Sequence, residues 1–572
     1  MKNFYVIFLL LIPFFTQAQL SYHHGFGLGY TGNDNPGSVK IDAQNNVLVV
    51  GSFTTYIDMD PGLGTTALNA NTGIDGFVGK YTSSGTLLWA FSIGGTGNEG
   101  VSSINIDGSD IVIVGSFNDT VDVDPGPGTT NLVSAGNYDF FIARYTSTGQ
   151  FVSAKRFGGS GDESFMDMDM QNGSMTITGW FEDTLALDTF QYVARGSNDV
   201  FVAKLNSAGD VLWSHTFGGT GFSLSYGRKV IIDSSGIVYA TGTINATNID
   251  VDPGPGIVSL STTGSSDIYI IQYLSNGDLG WARLIGGSTG ELAGDIEMDR
   301  NGDLFVAGYT NSDSLDMNPD TSATAFLYEL PGINGAQDMI VGKYTSTGQY
   351  VWAHRTGKRS SDTGWGIEVD EINNLFVCAS FGDDSVDFDP GPGIFLMSTD
   401  SGVTTAGALV QYNGATGNFV DAISFGGNGQ TLPNDLALSN GKVWVTGIFR
   451  GDSMDLDPGV GTAYIYNHGT GATTDAFIAG YNYGAMTRIQ ELRANSLKLY
   501  PSLTKDMVNI TFDEVLTQGI VEVRNTEGKL ILREKVNSFP YSISVKNFAA
   551  GLYVASLFAG EKTYSGKFMK TE

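Results

Sequence analysis

Three observations predict an all-β fold built from repeats. One pattern of strand-like runs recurs seven times, at a spacing of roughly 60–70 residues. Each copy opens on a Gly-rich loop and carries up to four β-branched or aromatic runs separated by tight turns. The fourth run is missing from the last copy, and a surplus copy of it stands near the N-terminus. Together these predict a seven-bladed β-propeller of four-stranded blades, closed by the N-terminal strand, and then a small C-terminal β-sandwich.

The repeat opens with Gly94-Gly95-Thr96-Gly97, Gly158-Gly159-Ser160-Gly161, Gly218-Gly219-Thr220-Gly221, Gly286-Gly287-Ser288 and Gly426-Gly427-Asn428-Gly429, with degenerate copies at Gly29-Tyr30-Thr31-Gly32 and Thr356-Gly357-Lys358. A first strand follows and ends in a turn, as in Val230 to Gly236, and a second runs on, as in Ile237 to Gly242. The third strand reads Asp, three apolar residues, two variable ones and Tyr, as in Asp75 to Tyr81 and Asp475 to Tyr481; the sixth copy has Ala406 in place of Asp. A Ser/Thr/Asn-Gly turn leads to a fourth strand that carries Trp89, Trp213, Trp281 or Trp352, expected to pack between blades. Ser21 to Gly29 aligns with this fourth strand and puts His24 opposite Trp89. A strand borrowed from the N-terminus would complete the last blade and remove the free edge of an open array. Over about residues 20–484 these runs resemble the bacterial SBBP propeller repeats. That resemblance implies a fold and no activity.

Antiparallel strands alternate their connections between two faces. The long second-to-third loops and the Gly-Gly loops therefore share one face, where binding is expected. The long loops carry Asp-x-Asp-Pro-Gly: Asp58 and Asp60, Asp122 and Asp124, Asp250 and Asp252, Asp387 and Asp389, Asp455 and Asp457. A weaker copy has Asp316 and Asn318, and the third blade keeps only Asp188. Two carboxylates at i and i+2 of extended backbone project to one side, and hard oxygens suit Ca²⁺. Asp before Pro-Gly is also ordinary turn chemistry, and two carboxylates do not supply the six to eight oxygens that calcium takes. These ten residues are the candidate calcium ligands, with turn structure as the competing role.

Other features point less far. Asp299-Arg300-Asn301-Gly302-Asp303 has a faint calcium-loop look on a hairpin turn. Asp119-Thr120-Val121, Asp183-Thr184-Leu185, Asp313-Ser314-Leu315, Asp384-Ser385-Val386 and Asp452-Ser453-Met454 resemble the O-glycosylation sequon of Bacteroidota, set against simple repeat inheritance. The five histidines share no ligand spacing, and no Ser/His/Asp or Cys/His constellation is legible, so the chain reads as no enzyme. A polysaccharide hydrolase or lyase with its site at the propeller axis is the alternative. The stretch that breaks the repeat with charge is His354, Arg355, Lys358, Arg359, Asp362 and Trp365.

Composition bounds the partners. Thirty basic against 60 acidic side chains give a net charge of −30, which argues against nucleic acid and anionic membranes. The lone cysteine, Cys378, sits in an apolar run and reads as a buried thiol. Lys2, the apolar run Phe4 to Phe15 and the small-residue pattern Thr16-Gln17-Ala18 read as a signal peptide over residues 1–18, with no lipid-bearing cysteine after the cut. No later stretch is apolar enough for a transmembrane helix. The propeller is expected over 19–486, a linker over 487–496 and the sandwich over 497–572. That last segment carries ten basic and eight acidic side chains, so the negative charge belongs to the repeats.

The tail carries Leu499-Tyr500-Pro501, Thr504-Lys505-Asp506, Asn525 to Lys529, Leu552-Tyr553 after Gly551, and Lys567. It resembles the type A C-terminal sorting domain of the type IX secretion system. Ser502-Leu503 departs from the family's Asn-Pro. The resemblance implies the secretion machinery as partner and export to the medium or the outer cell surface of a Bacteroidota-like bacterium. There an acidic loop face would meet a glycan, a protein or divalent cations.

Overall fold

A computed structural model describes residues 20–320, 323–328, 336–382, 385–399, 403–469, 473–484, 498–500, 503–511, 519–525, 529–538, 541–559 and 562–571. The signal peptide, the linker, Asp384, Pro501-Ser502 and Thr526 to Gly528 lie outside the described residues. The chain is all-β, without a helix among the described residues, and divides into compact units Met1–Tyr483 and Gly484–Glu572.

The larger unit is propeller-like, a succession of antiparallel four-stranded groups. The first comprises Asp34–Ile41, Val47–Asp58, Ala67–Tyr81 and Leu87–Gly95, paired in that order. The next holds Glu99–Asp107, Asp110–Asp122, Asn131–Tyr145 and Phe151–Phe157. The pattern continues with first strands Glu163–Gln171, Tyr226–Ile232, Glu291–Met298, Thr363–Val369 and Thr431–Ser439. The group that begins at Thr431 adds Lys442–Phe449 and Asp475–Asn482 from its own stretch and Ser21–Tyr30 from the N-terminus. His24 pairs with Gly480 as Trp89 pairs with Lys80, the register that the sequence alignment expects.

Second and third strands read as continuous apolar runs because both faces are covered. Val238–Ile244 and Asp267–Tyr273 are buried along their whole length. The core lies between groups: Leu48, Val50 and Val78 pack with Ile104, Ile113 and Phe141 of the next group. Phe26, Trp444 and Ile478 likewise pack with Val49, Phe53 and Phe77. Each such side chain contributes about 1.5–3 kcal/mol when taken fully from water.

The fourth-strand Trp ties neighbouring groups together. The indole N–H of Trp89, Trp213, Trp281 and Trp352 donates to Ser147, Ser275, Ser346 and Gly414 carbonyls at 3.1–3.2 Å. Each acceptor sits in the following group's third-to-fourth turn. Cys378 is buried, and burial pushes its thiol well above the ordinary range.

In the smaller unit, a five-stranded sheet contains Gly519–Asn525, Leu530–Val536 and Gly551–Ala559, and a three-stranded sheet contains Met507–Thr511 and Tyr541–Ser544. Val508, Ile510 and Ile543 share one core with Val521, Val523 and Leu557. No helix among the described residues is long and apolar enough to cross a membrane.

Candidate functional site

The Asp-x-Asp-Pro-Gly loops use their carboxylates internally. Asp58 Oδ1 accepts the N–H of Asp60 at 3.0 Å and of Thr66 at 2.9 Å, and Asp60 Oδ1 accepts that of Gly62 at 2.8 Å. The same three bonds recur at Asp122 and Asp124, Asp250 and Asp252, Asp387 and Asp389, and Asp455 and Asp457. The residue between each pair is buried, and its carbonyl accepts the hydroxyl of the third-strand tyrosine, as Met59 does from Tyr81 at 3.0 Å. Each loop thus closes as a tyrosine-anchored turn and supplies too few oxygens for a calcium shell by itself. Among the described residues no three His, Cys, Asp or Glu side chains gather to hold a metal ion. In the faint calcium loop, the Lys343 ammonium lies 2.9 Å from Asp299 and 3.1 Å from Asp303, already supplying a cation.

The loops also explain the Gly-Gly motif and the sequon-like triplets. Gly94 pairs with Asp122 and Gly95 with Val121, so the fourth strand of one group docks on the long loop of the next. A Cβ on Gly95 would stand 1.7 Å from the Thr120 carbonyl oxygen, and one on Gly159 1.7 Å from that of Thr184. Thr120, Thr184 and Ser453 belong to this docking strand.

Beneath the first glycine lies a carboxyl pair that sequence reading missed. The third-strand Asp75 faces Glu99 of the following first strand, as Asp139 faces Glu163, Asp267 faces Glu291 and Asp475 faces Asp34. All eight are buried. Glu99 accepts the Gly95 N–H at 2.9 Å through Oε2, while Oε1 has no hydrogen-bond partner. Burial, then the neighbouring carboxylate, pushes Glu99 and Asp34 up to about 8; burial lifts Asp75 and Asp267 to about 6. Where Ala406 replaces the third-strand Asp, Thr431 replaces the partner acid, and both lie against Gly426.

The most site-like geometry is at the inner ends of the first strands. Each carries a register shift at the same point, which bulges one residue out of the ladder. The bulged residues are Gly37, Ser102, Met166, Arg228, Gly294, Trp365 and Asn434. A bulge re-aims side chains, and here all seven line one cavity of about 480 Å³, together with Pro36, Leu432 and Pro433. The Arg228 guanidinium lies 5.9 Å from the Trp365 ring, which meets Tyr309 edge-on at 6.2 Å. First strands follow the Gly-Gly loops, so this cavity opens on the long-loop face.

A second cavity of about 280 Å³ lies deeper along the same strands, and Lys229 lines both. Lys40, Asp167, Asp169, Asp295, Glu297, Glu368 and Asp435 surround it. Lys229 lies 3.6 Å from Asp167 and 3.9 Å from Asp295, and Lys40 lies 3.5 Å from Glu368. Asp167, Asp295 and Asp435 also staple neighbouring strands by accepting the N–H of Val230, Ile367 and Val39 at 2.8–3.1 Å. Burial raises Asp295 to about 7 against the pull of Lys229.

Of the charged stretch singled out in the sequence, only Trp365 reaches this mouth. His354 bonds the Gly417 carbonyl at 2.7 Å and Arg355 bonds Asp338 at 2.6 Å. The missed residues did leave a signal: Asp167, Lys229, Asp295 and Asp435 put a charge at the same position of four first strands, directly after the bulge.

Residues 498–571 match the secretion system C-terminal sorting domain, which marks the chain for export through the type IX system to the cell surface or beyond. The chain is similar to an uncharacterized WD repeat-containing protein of Acanthamoeba polyphaga mimivirus, 24% identical over 492 residues, covering 73% of this chain and 35% of that protein. It is also similar to the regulatory protein FlaEY of Caulobacter vibrioides, 24% identical over 366 residues, covering 59% of this chain and 36% of that protein. The chain thus spans about a third of the length of these curated relatives. Among solved structures it is similar to a subtype N10 neuraminidase-like protein of a little yellow-shouldered bat isolate, at 8% identity and TM-score 0.31, covering 81% of this chain and 99% of that one. It is also similar to the phage phi92 endosialidase, at 8% identity and TM-score 0.34, covering 96% and 87%. Such scores carry no inference about activity.

Proposed function

We propose that the chain is an exported binding protein whose repeats form a seven-bladed propeller, closed by Ser21–Tyr30, with a glycan site at the axial mouth of the long-loop face. Closure is supported by the Ser21–Tyr30 pairing with Asp475–Asn482 and by the Asp435 to Val39 staple. The ring of neighbouring first strands, from Asp34–Ile41 round to Thr431–Ser439 and back, points the same way. The observation that carries the binding site is Trp365 with Arg228 on one wall of the 480 Å³ cavity. An indole face takes the C–H face of a sugar ring, while Arg228 supplies hydrogen-bond donors to its hydroxyls and Asn434, whose amide N–H groups serve the Pro36 and Gly37 carbonyls, offers Oδ1 as an acceptor. The mature protein is released or held at the cell surface after export. The test is calorimetric titration of the full chain with a panel of neutral and acidic oligosaccharides. The reading expects binding that Trp365→Ala weakens at least tenfold, and it fails if no sugar binds or the variant binds unchanged.

One observation favours a hydrolase as the second reading. Asp167 and Asp295 both stand beside Lys229, at 3.6 Å and 3.9 Å, and Lys229 lines both cavities. A protonated and an ionised carboxyl flanking one bond is the arrangement of glycoside hydrolysis. Release of reducing ends from a bound oligosaccharide, abolished by Asp295→Asn, is its requirement.

A further inference from the structure

The closing seam departs from the others. Tyr30 pairs with Ile57 as Gly95 pairs with Val121, Gly287 with Leu315 and Gly427 with Met454. A tyrosine therefore stands where these three seams carry glycine pressed against backbone. Its ring packs edge-on against Tyr56 at 4.7 Å, remains 46% exposed, and lies parallel to His468 within 14° at 6.4 Å. Beside this joint a cavity of about 480 Å³ opens between the Asp58–Gly62 loop and the strand Tyr464–Tyr466.

The lining has a definite chemistry. Tyr464 and Tyr466, at i and i+2, share one face of their strand and are 54% and 62% exposed. With Tyr30 they place three exposed tyrosines along the rim of the cleft. Asp58 and Asp60 spend Oδ1 on the turn, and no described residue bonds Oδ2 of either. His468 is held by Asp475, its Nδ1 3.3 Å from Oδ2, which fixes the ring at the cavity edge. No lysine or arginine stands among the described residues that line the cavity. Aromatic faces with acceptor carboxylates, and with the His468 ring already paired to Asp475, suit a ligand with apolar C–H faces and many hydroxyls, and they disfavour an anion.

We propose that this seam is a second binding site, for neutral pyranose oligosaccharides, independent of the axial mouth. Full-length protein is titrated by calorimetry with cellohexaose, mannohexaose, maltohexaose and the galacturonic acid hexamer. The expected result is binding of at least one neutral hexamer and none of the acidic one at the seam. Tyr464→Ala/Tyr466→Ala should weaken that binding at least tenfold, with an unchanged melting point because both rings are exposed. Trp365→Ala should leave the seam affinity within twofold, and so should Tyr328→Ala, an equally exposed tyrosine in another group. The proposal is overturned if no neutral hexamer binds, if the double variant binds as the parent does, or if the loss follows Trp365 instead. That last outcome would leave the axial site standing and remove this one.

Discussion

Replacing one buried carboxyl by its neutral isostere tests the seam chemistry directly. In the folded chain Glu99 titrates at about 8, raised from 4.5 by burial and by Asp75. A group raised in the folded state lends stability below its unfolded value and loses it as pH rises through the folded value. The rise of about 3.5 units corresponds to about 5 kcal/mol at most, and screening by nearby solvent brings this to about 2 kcal/mol. Asp34 behaves alike near 8, and Asp75 and Asp267 near 6. The melting point should therefore fall between pH 5 and pH 8.5. Glu99→Gln retains a side-chain oxygen to accept the Gly95 N–H and removes the ionisation. It should raise the melting point at pH 8.5 and leave it nearly unchanged at pH 4.5. Differential scanning fluorimetry across this range reads both effects. A melting point that rises with pH, or a variant equally destabilised at both ends, refutes the reasoning.

Other outcomes follow from the same geometry. Calcium at 5 mM (at least about five hundredfold over typical sensor dissociation constants) and chelator should give the same melting point within about 1 °C, because the loop carboxylates already serve backbone N–H groups; a rise abolished by Asp122→Asn would make the loops ion sites. Gly95→Ala should cost about 1–3 kcal/mol in denaturant unfolding, since its Cβ would meet the Thr120 carbonyl, whereas an alanine tolerated there would mean the docking strand gives way. Deleting residues 19–30 should expose the Asp475–Asn482 edge and produce aggregates in size-exclusion chromatography, while a monodisperse product would contradict an edge-sealing role.

Much of the architecture was legible because strands announce themselves locally. Gly and Asn mark the turns, Val, Ile and Tyr mark the runs, and the displaced fourth strand gave the pairing of Ser21–Tyr30 with Asp475–Asn482 down to its register. Trp89 and its counterparts read as packing residues from their place in the repeat. The alternating runs around Val521 and Tyr553 likewise fall in strands of the tail.

The site was not legible in the same way. Asp58, Asp60 and their copies are conspicuous in the sequence because they repeat, and a recurring turn repeats in the same way. The mouth depends on residues that differ from copy to copy: Gly37, Met166, Arg228 and Trp365 share only a bulge. A bulge is set by how two strands slip past each other, so its position is written in the pairing and not in either strand. The partnership of Glu99 with Asp75 likewise joins residues from successive copies, and only packing shows that they meet. Local sequence determined which residues form strands and where the chain turns, since these rest on backbone preference and period. The tertiary structure decided which side chains converge, because convergence depends on register, bulge and the neighbour across the seam.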